Sequence, residues 1–340
     1  MSSGDAALAL GLEAAIGYPE ALGRCLPHPV VWMGRAIEFL ELHWNRPRSA
    51  DVPVRSSRPS DADDQRKKRA DEDVRAPCAR RGLGVATVSL VAGASGLLAW
   101  AVERACGPSP AGRAAAVLAA TPGLAQRSLR EHVEAVRAPL ERGDLAAARQ
   151  AVSRIVGRDV AALDASAIAA AALESLAESF NDGVVAPAFW LALAGLPGLY
   201  VYKAVNTADS LIGHREPRWR LFGWAAARLD DAMNLIPARL AGALIALAGG
   251  SGWRIMLRDA PQHASPNAGW PEAAMAGALG VQLGGPATYD GVPTERPRFG
   301  DGPRPAASDL ARGLAVYGRA CLLLGLCFGA VAVARRRRRP

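Results

Sequence analysis

The chain has 340 residues, half of them hydrophobic, and a formal net charge of +8. This length suits one large domain or two ordinary ones. Aromatic residues are few, and the abundant small residues would let helices approach closely, as membrane helices do. The five cysteines form no CxxC pair, which argues against a zinc site or a disulfide framework.

Five apolar segments follow one another along the chain. In order they are Asp5 to Leu26, Gly82 to Val102, Val184 to Tyr202, Leu235 to Gly252 and Tyr317 to Ala334. A stretch of about 20 apolar residues suffices to cross a bilayer. The first segment is the weakest because it contains Glu13, and the third should be kinked or broken at Pro187 and Pro197. We therefore expect an all-α, multi-pass integral membrane protein with four or five spans. A soluble helical bundle is the alternative for the weaker segments.

Positive charge is concentrated in two segments beside apolar stretches. One is the run Arg335 to Arg339, within a basic tail at 335–340. The other extends from Arg46 to Arg81. Nucleic-acid-binding arms look similar, but neither segment has interleaved aromatic residues for base stacking, so no nucleic-acid partner is expected. The positive-inside rule instead predicts that both are cytoplasmic.

The same rule gives a provisional topology for the rest of the chain. Alternation places Lys203–Asn234 inside, and 103–183 and 253–316 outside. For the last stretch, the alternative is that the loop Asp259–Glu272 dips back into the membrane. Residues 46–81 are rich in Arg, Asp, Ser and Pro, and we predict a disordered insertion there within a single domain covering 1–340.

Residues 122–180 have the pattern of amphipathic extramembrane helices. Leu129, Val133, Val136 and Leu140 recur at helical spacing, and glycine-containing turns separate the predicted helices. Near the end of this region Glu174, Glu178 and Asn181 fall on one helix face, and Asp182-Gly183 is predicted to end the helix. Carboxylates at a membrane border are costly unless paired, metal-bound or wet. They are candidate catalytic groups; the alternative is a solvated helix face.

Two further polar groups stand at the ends of apolar segments. Lys203, Asn206, Asp209 and Ser210 follow the third segment, where Lys203 suits a phosphate; interfacial snorkelling is the alternative. Asp230, Asp231 and Asn234 precede the fourth segment, and two adjacent aspartates repel each other unless a cation shares them. We predict that these three hold Mg²⁺.

The loop Asp259–Glu272 contains several groups that can bond a ligand. Pro271 and Glu272 suit a helix start, which is a place where anions are held. His263 lies among polar residues and is a candidate proton acceptor or orienting hydrogen-bond partner. The candidate substrate-binding residues outside the Lys203–Ser210 segment are Arg239, Ser265, Asn267 and Glu272. An ordinary proline-rich turn is the alternative. His28 is predicted to be structural, and His43, His132 and His214 to be exposed.

These blocks resemble the adenosylcobinamide-phosphate synthase family of cobalamin biosynthesis, the multi-pass membrane proteins called CobD or CbiB. The similar blocks are His28–Arg35, Gly143-Asp144, Val156–Asp159, Leu163-Asp164, Glu174–Pro187, Lys203–Gly213, Ala227–Arg239 and Asp259–Gly285. The resemblance covers nearly the whole chain except 46–80 and the extreme ends. Glu13 and Ser179 depart from the family pattern, which has Asp and Asn there.

The resemblance implies an ATP-dependent amide ligase in the inner membrane. It would join (R)-1-aminopropan-2-ol or its O-phosphate to the free propionate of adenosylcobyric acid, with Mg²⁺ as cofactor and other cobalamin-biosynthesis enzymes as partners. No Walker-type glycine loop is present, so nucleotide binding would be unconventional. Two other functions are alternatives to the ligase. A secondary transporter would also have polar residues at the ends of broken helices. A polybasic membrane scaffold would tolerate the loss of polar residues such as Asp230 or His263.

Overall fold

A computed structural model describes residues 1–18, 28–45, 59–214, 216 and 218–337, without the side chains of 59–77 and 336. The described helices up to Phe180 are α1 (Ser3–Ile16), α2 (Pro29–Trp44), α3 (Pro59–Cys106), α4 (Pro110–Ala120), α5 (Gln126–Glu141), α6 (Leu145–Val152) and α7 (Ala165–Phe180). Those after it are α8 (Ala186–Ile212), α9 (Trp224–Gly249), α10 (Trp253–Asp259), α11 (Gly269–Leu279) and α12 (Ala307–Arg337).

In the described ranges of the chain, strands are limited to two short antiparallel pairs. Leu283–Gly284 (β1) pairs with Arg298–Phe299 (β4), and Ala287–Tyr289 (β2) pairs with Val292–Thr294 (β3). The expected all-α, multi-pass architecture is therefore confirmed. Within the described residues four helices are long and apolar enough to cross a membrane: Cys78–Cys106, Ala165–Ile212, Trp224–Gly249 and Ala307–Arg335. The described part of the weakest predicted span, α1, has 14 residues and is not among them.

The third predicted span is a helical hairpin. Ala194 and Gly195 have non-helical backbone angles, with φ of +70° at Gly195, a conformation that glycine adopts without a Cβ penalty. After this break the chain reverses, and a Cβ on Gly198 would lie 2.6 Å from the carbonyl oxygen of Trp190. Glu103 of α3 accepts a 2.8 Å hydrogen bond from the free amide of Leu196. The predicted break between the two prolines is confirmed, and it turns the segment back on itself.

The junction of the first hairpin arm differs from the prediction. Asp182-Gly183 does not end the helix, because residues Asn181–Val185 form one π-helical turn that continues directly into α8. Such π-turns widen a helix locally and recur at functional sites. Here the turn carries Asn181 and Asp182 on the inner side of the hairpin.

Small residues allow the central packing. Helix α7 buries seven consecutive residues, from Ile168 to Glu174, so neighbouring helices can approach it on more than one side. The ring of Phe180 meets that of Tyr317 edge to face at 5.6 Å. Large apolar side chains such as Leu97, Leu98 and Leu322 are at least 60% exposed, as expected where helices face lipid.

The predicted helices form over 126–152, whereas α7, predicted as extramembrane, belongs to the candidate span Ala165–Ile212. Val133, Val136 and Leu140 of α5 are buried, and Asp144 caps α6 after Gly143, whose φ is +78°. His28 caps α2, where its Nδ1 accepts from the amide of Val30 at 3.3 Å, which confirms the structural reading of this histidine.

The basic insertion is described only in part. Residues 46–58 lie outside the described residues. From Pro59 the chain is helical and runs without interruption into the apolar part of α3, so 59–81 differs from the predicted disorder. Helix propagation from a stable apolar segment explains this, since each added residue gains one backbone hydrogen bond.

The two basic segments lie at opposite ends of α3. At one end Arg81 stacks on the ring of Trp224, at 5.8 Å. At the other end Arg335 lines the same hollow as Arg104. Arg81 and Arg104 are about 35 Å apart along the helix at 1.5 Å per residue, which exceeds the hydrocarbon thickness of a bilayer. The prediction that both basic segments are cytoplasmic is therefore wrong if α3 crosses the membrane.

Candidate active site

A cavity of about 530 Å³ lies where the hairpin, α9 and the loop before α11 meet. Its charged wall consists of Glu178, Asp182, Asp209, Asp230, Asp231, Arg220, Arg228 and His214. Trp224 and Ser265 also line it, so the loop Asp259–Glu272 reaches the same cavity as the segment Lys203–Asn234. The two segments, which were predicted on opposite sides of the membrane, thus meet at one cavity. The side of the membrane on which each lies stays a prediction, as does the alternative that the loop dips back into the membrane.

Asn206 connects two carboxylates in this wall. Its side-chain nitrogen lies 3.3 Å from Asp182 Oδ2 and 3.3 Å from Asp230 Oδ1. Asn234 donates to the other oxygen of Asp230 at 3.0 Å. Three segments that are far apart in sequence thus meet through one hydrogen-bonded network. Amide donors offset part of the repulsion between carboxylates that face one cavity.

Asn181 and Tyr202 complete the network from the hairpin. Asn181 donates to Asp182 Oδ1 at 2.7 Å and to Asn234 Oδ1 at 2.8 Å, and Tyr202 donates to Asn234 Oδ1 at 3.1 Å. The side-chain oxygen of Asn181 is buried and, in the described part of the chain, accepts no hydrogen bond. A buried acceptor without a partner costs about 1–3 kcal/mol. Because Asn181 lines the cavity, a bound cation or donor could recover this energy.

Asp231 diverges from its neighbour. Its carboxylate lies 3.4 Å from Arg228 and is 27% exposed, whereas its main-chain oxygen accepts from Asn267 at 2.8 Å. Of the three predicted Mg²⁺ ligands, Asp230 and Asn234 are therefore in direct contact, and Asp231 points to the cavity rim. Asp209 lines the same cavity one turn beyond Asn206.

The donor set fits one mode of Mg²⁺ binding. Among the described residues no group of three His, Cys, Asp or Glu side chains is placed to hold a metal ion. Mg²⁺ is often held by one or two carboxylates together with substrate phosphates, and does not require a cage of protein ligands. Asp230 and the unpartnered oxygen of Asn181 suit that mode.

Glu174 belongs to a separate buried ion-pair cluster. It accepts from the Gly284 amide at 2.8 Å and from Arg296 at 3.0 Å, and it also pairs with Arg158. Both of its oxygens therefore bind groups outside the cavity: Gly284 and Arg296 from the β-strand region 283–299, and Arg158 from the connection between α6 and α7. Of the predicted catalytic carboxylates, Glu178 and Asp182 line the cavity and Glu174 does not.

Glu272 and His263 lie in contact with this second cluster. Glu272 Oε1 is 3.8 Å from His263 Nε2, and Oε2 is 3.6 Å from Arg296. Complete burial, and then the negative charges of Glu178 and Glu174, raise the pKa of Glu272 well above its usual range. His263 Nδ1 accepts from the amide of Ser265 at 2.9 Å. Glu272 and His263 are therefore placed behind the cavity wall and outside the set of residues that line it.

The remaining predicted loop residues hold the loop on α9. Arg239 donates to Asn267 Oδ1 at 3.0 Å and stacks on Trp270 at 4.7 Å. The hydroxyl oxygen of Ser265 accepts from the amides of Asn267 and Ala268 at 3.2 and 3.3 Å. Ser265 and Asn267 also face the cavity. These contacts fix the geometry of the loop. The binding role predicted for Arg239, Ser265 and Asn267 stays a prediction and is compatible with these contacts.

Lys203 and Ser210 face a second space. With Arg35 of α2 they line a groove of about 440 Å³ on the other side of α8. Asn206 lines this groove as well, although its amide reaches the cavity carboxylates. The Lys203 ammonium lies 3.4 Å from the carbonyl oxygen of Asp182.

Four residues of these clusters escaped the sequence analysis as site residues. Asn181 and Tyr202 are in the hairpin, and Arg158 and Arg296 come from extramembrane loops. Asn181 stands on the same helix face as Glu174 and Glu178, a signal that could have included it. Nothing in the sequence near Arg296 indicates its partner 122 positions away.

Comparison with known proteins assigns the family. The family model described as "CobD/Cbib protein" matches residues 6–317. The chain is 47% identical over 330 residues to "Cobalamin biosynthesis protein CobD" of Rhodobacter capsulatus, covering 96% of each chain. It is 42% identical to the proteins of the same name from Rhizobium meliloti, covering 96% of this chain and 95% of the relative, and from Brucella suis biovar 1, covering 96% of each. No solved structure matches the chain. This chain therefore belongs to the CobD/Cbib family and has a role in cobalamin biosynthesis.

Proposed function

We propose that this protein is an ATP-dependent amide ligase that acts on a corrinoid carboxylate. It would join (R)-1-aminopropan-2-ol or its O-phosphate to the free propionate of adenosylcobyric acid. The observation that carries the proposal is the network of Asp182, Asn206 and Asp230 in an acidic cavity. Family membership supplies the pathway, and the cavity supplies groups able to bind a cationic amine and accept its proton.

The reaction needs two steps, because a carboxylate is a poor electrophile. First, a propionate oxygen attacks the γ-phosphorus of ATP; the bond between that phosphorus and the β,γ-bridging oxygen breaks, which gives an acyl phosphate and ADP. Second, the neutral amine nitrogen attacks the acyl carbon, and the bond to the phosphate oxygen breaks, which releases inorganic phosphate. A carboxylate at the cavity takes the proton that the amine loses.

The residues of the cavity suit these steps. Asp182 and Asp230 each have an oxygen 3.3 Å from the side-chain nitrogen of Asn206, so an ammonium group could replace the Asn206 amide as their shared donor. Arg220 and Arg228 in the same wall are placed to offset phosphate charge. When bound at Asp230, Mg²⁺ would neutralise charge on the transferring phosphoryl group.

The base could also be His263, as the sequence suggests. Its position behind the wall, near Glu272, favours an orienting role for the loop over direct proton transfer. A base role predicts that His263→Ala loses more activity at pH 7 than at pH 9, where more free amine is present. Equal loss at both pH values would support the orienting role.

The test is product formation by purified protein. Detergent-solubilised protein is incubated with ATP, Mg²⁺, adenosylcobyric acid and either amine, and products are measured by mass spectrometry. We expect an amide whose formation matches ADP release one to one, and its loss in Asp182→Asn. The broken hairpin also suits a transporter. Corrinoid uptake by protein-containing vesicles, with no amide formed and no ATP used, would favour that function instead.

A further inference from the structure

A basic hollow lies at the end of α3 that is farther from the acidic cavity. It has a volume of about 810 Å³, and residues of α1, α3, α4 and α12 line it. Its charged residues are the arginines Arg104, Arg113 and Arg335 and the carboxylates Asp5 and Glu103. Because they come from four helices, the fold and not one local run of charge brings them together. Arginines outnumber carboxylates in this wall, which favours an anion there.

The two carboxylates of the hollow are already paired within the protein. Asp5 is buried and accepts from Arg113 at 2.6 Å. Glu103 accepts from the amide of Leu196 at 2.8 Å with one oxygen, and its other oxygen pairs with the amino group of Met1. Little negative charge is therefore left in the hollow to balance its other arginines.

Arg104 and Arg335 stand apart from these pairs. Both are exposed, and in the part of the chain that the structure describes neither forms an ion pair with a carboxylate. Arg104 lies instead over the ring of Trp100, at 5.5 Å. The arginine fork matches the geometry of phosphate oxygens. These two side chains are therefore suited to hold a phosphate group.

The hollow stands at the level where a membrane surface is expected, because the candidate spans Cys78–Cys106 and Ala307–Arg335 both end there. Trp100 and Val331 lie one helical turn before the two arginines, and they are 54% and 42% exposed. Each of the two helices thus presents an exposed apolar side chain directly beside an exposed arginine. A soluble anion would contact only the arginines, whereas a lipid would contact both kinds of side chain.

We propose that the hollow binds an anionic phospholipid, with the headgroup phosphate on Arg104 and Arg335 and the acyl chains along the exposed apolar faces of α3 and α12. Basic pockets between transmembrane helices bind anionic headgroups. A zwitterionic lipid also carries a phosphate, but its ammonium group would add positive charge to a wall that already has three arginines. The binding involves no residue of the proposed ligase site.

The experiment measures lipid binding to the full chain. Protein purified in detergent and stripped of bound lipid is titrated with phosphatidylglycerol or with phosphatidylcholine of the same acyl chains, and bound lipid is measured by native mass spectrometry. We expect an affinity for phosphatidylglycerol about tenfold above that for phosphatidylcholine. Arg104→Gln and Arg335→Gln should each lower the phosphatidylglycerol affinity by about tenfold, because one charge-assisted contact contributes about that factor. Thermal unfolding without lipid checks that each variant is folded, and either variant alone suffices for the test.

Arg81→Gln is the matched control, because Arg81 is exposed at the opposite end of the same helix and also lies over a tryptophan, Trp224. Its phosphatidylglycerol affinity should equal that of wild type. An equal loss in Arg81→Gln and Arg104→Gln would show a general effect of surface charge and would refute the site. Equal affinity of wild type for the two lipids, or unchanged affinity in both hollow variants, would also refute it.

Inorganic phosphate distinguishes a lipid from a soluble anion. A ligand that binds only the folded protein raises its Tm. We expect phosphatidylglycerol to raise the Tm of wild type and inorganic phosphate at the same concentration to leave it unchanged. If both raise the Tm equally, the hollow is a site for soluble anions and the lipid assignment is wrong.

Discussion

Replacing Asp230 with Asn tests the centre of the site with the smallest change of shape. Asp230 accepts one amide hydrogen bond on each oxygen, from Asn206 at 3.3 Å and from Asn234 at 3.0 Å. In Asp230→Asn one acceptor becomes an amide nitrogen that faces another donor. The lost hydrogen bond should cost about 1–2 kcal/mol of unfolding free energy. The loss of negative charge should matter more for the reaction.

We expect turnover in Asp230→Asn to fall by about 10² or more, since removal of a single electrostatic stabiliser costs about 3–4 kcal/mol of activation free energy. The Mg²⁺ concentration for half-maximal rate should rise. The assay is the initial rate of amide formation over a Mg²⁺ titration, with thermal unfolding measured in the same detergent.

Asp231→Asn is the matched control, since it makes the same change one residue away. Asp231 is partly exposed and faces Arg228, which is 67% exposed, so this ion pair is worth about 0–1 kcal/mol. If Asp231 also shares the metal, as the sequence suggests, its variant will show the same Mg²⁺ shift. An unchanged rate and an unchanged Mg²⁺ dependence in Asp230→Asn would refute the reasoning for Asp230.

Three further predictions concern other parts of the chain. A deletion that joins Asn45 to Cys78 should keep synthase activity, because the removed segment is too polar to bury apolar surface; a folded but inactive deletion would contradict this. Arg239→Gln should lower the unfolding free energy by about 1–2 kcal/mol, since it loses the hydrogen bond to Asn267 and the stacking on Trp270; an unchanged Tm would show that the loop needs no such latch. Glu272 has a raised pKa in the folded protein, so its contribution to stability is fully present below the usual carboxyl pKa and lost as pH rises towards the raised value. From pH 5 to pH 8 the Tm of wild type should therefore fall relative to the Tm of Glu272→Gln. A difference in Tm that does not change with pH would contradict the raised pKa of Glu272.

The apolar segments were predictable because span length and charge are local properties. The four candidate spans overlap the four strongest predicted segments. The reversal at Ala194 and Gly195 was only partly predictable. Two prolines indicate a break in a membrane helix, but the direction of the chain after it depends on which neighbour satisfies the free amide groups. Here Glu103 does so from another helix, and it lies 93 positions away.

For the site as well, individual residues were predictable from their own segment, whereas the contacts between segments were not. Asp182, Asn206, Asp230 and Asn234 each stand close to an end of a predicted apolar segment, and polar groups at such positions are costly enough to be identified one segment at a time. Their mutual contacts depend on the hairpin. The position of Glu174 on a helix face made it a reasonable catalytic candidate. Arg158 and Arg296, which form ion pairs with it, lie in loops whose sequences do not indicate this contact.

The proposed reaction, combined with the position of the cavity and the charge distribution, gives an expectation for the membrane orientation. The cavity includes Trp224, against which Arg81 stacks, whereas Arg335 lies at the opposite end of α3 with Arg104. ATP is a cytoplasmic substrate, so the proposed reaction places the cavity and Arg81 inside and Arg335 outside, against the orientation that the arginine run alone predicts. Reporters that are active only outside the cytoplasm, inserted near residue 57 and after Arg337, test this in intact cells. We expect activity only from the second. If both reporters are active, or both inactive, α3 does not cross the membrane. Activity only from the first reporter would place the cavity outside the cytoplasm, which would contradict an ATP-dependent reaction there.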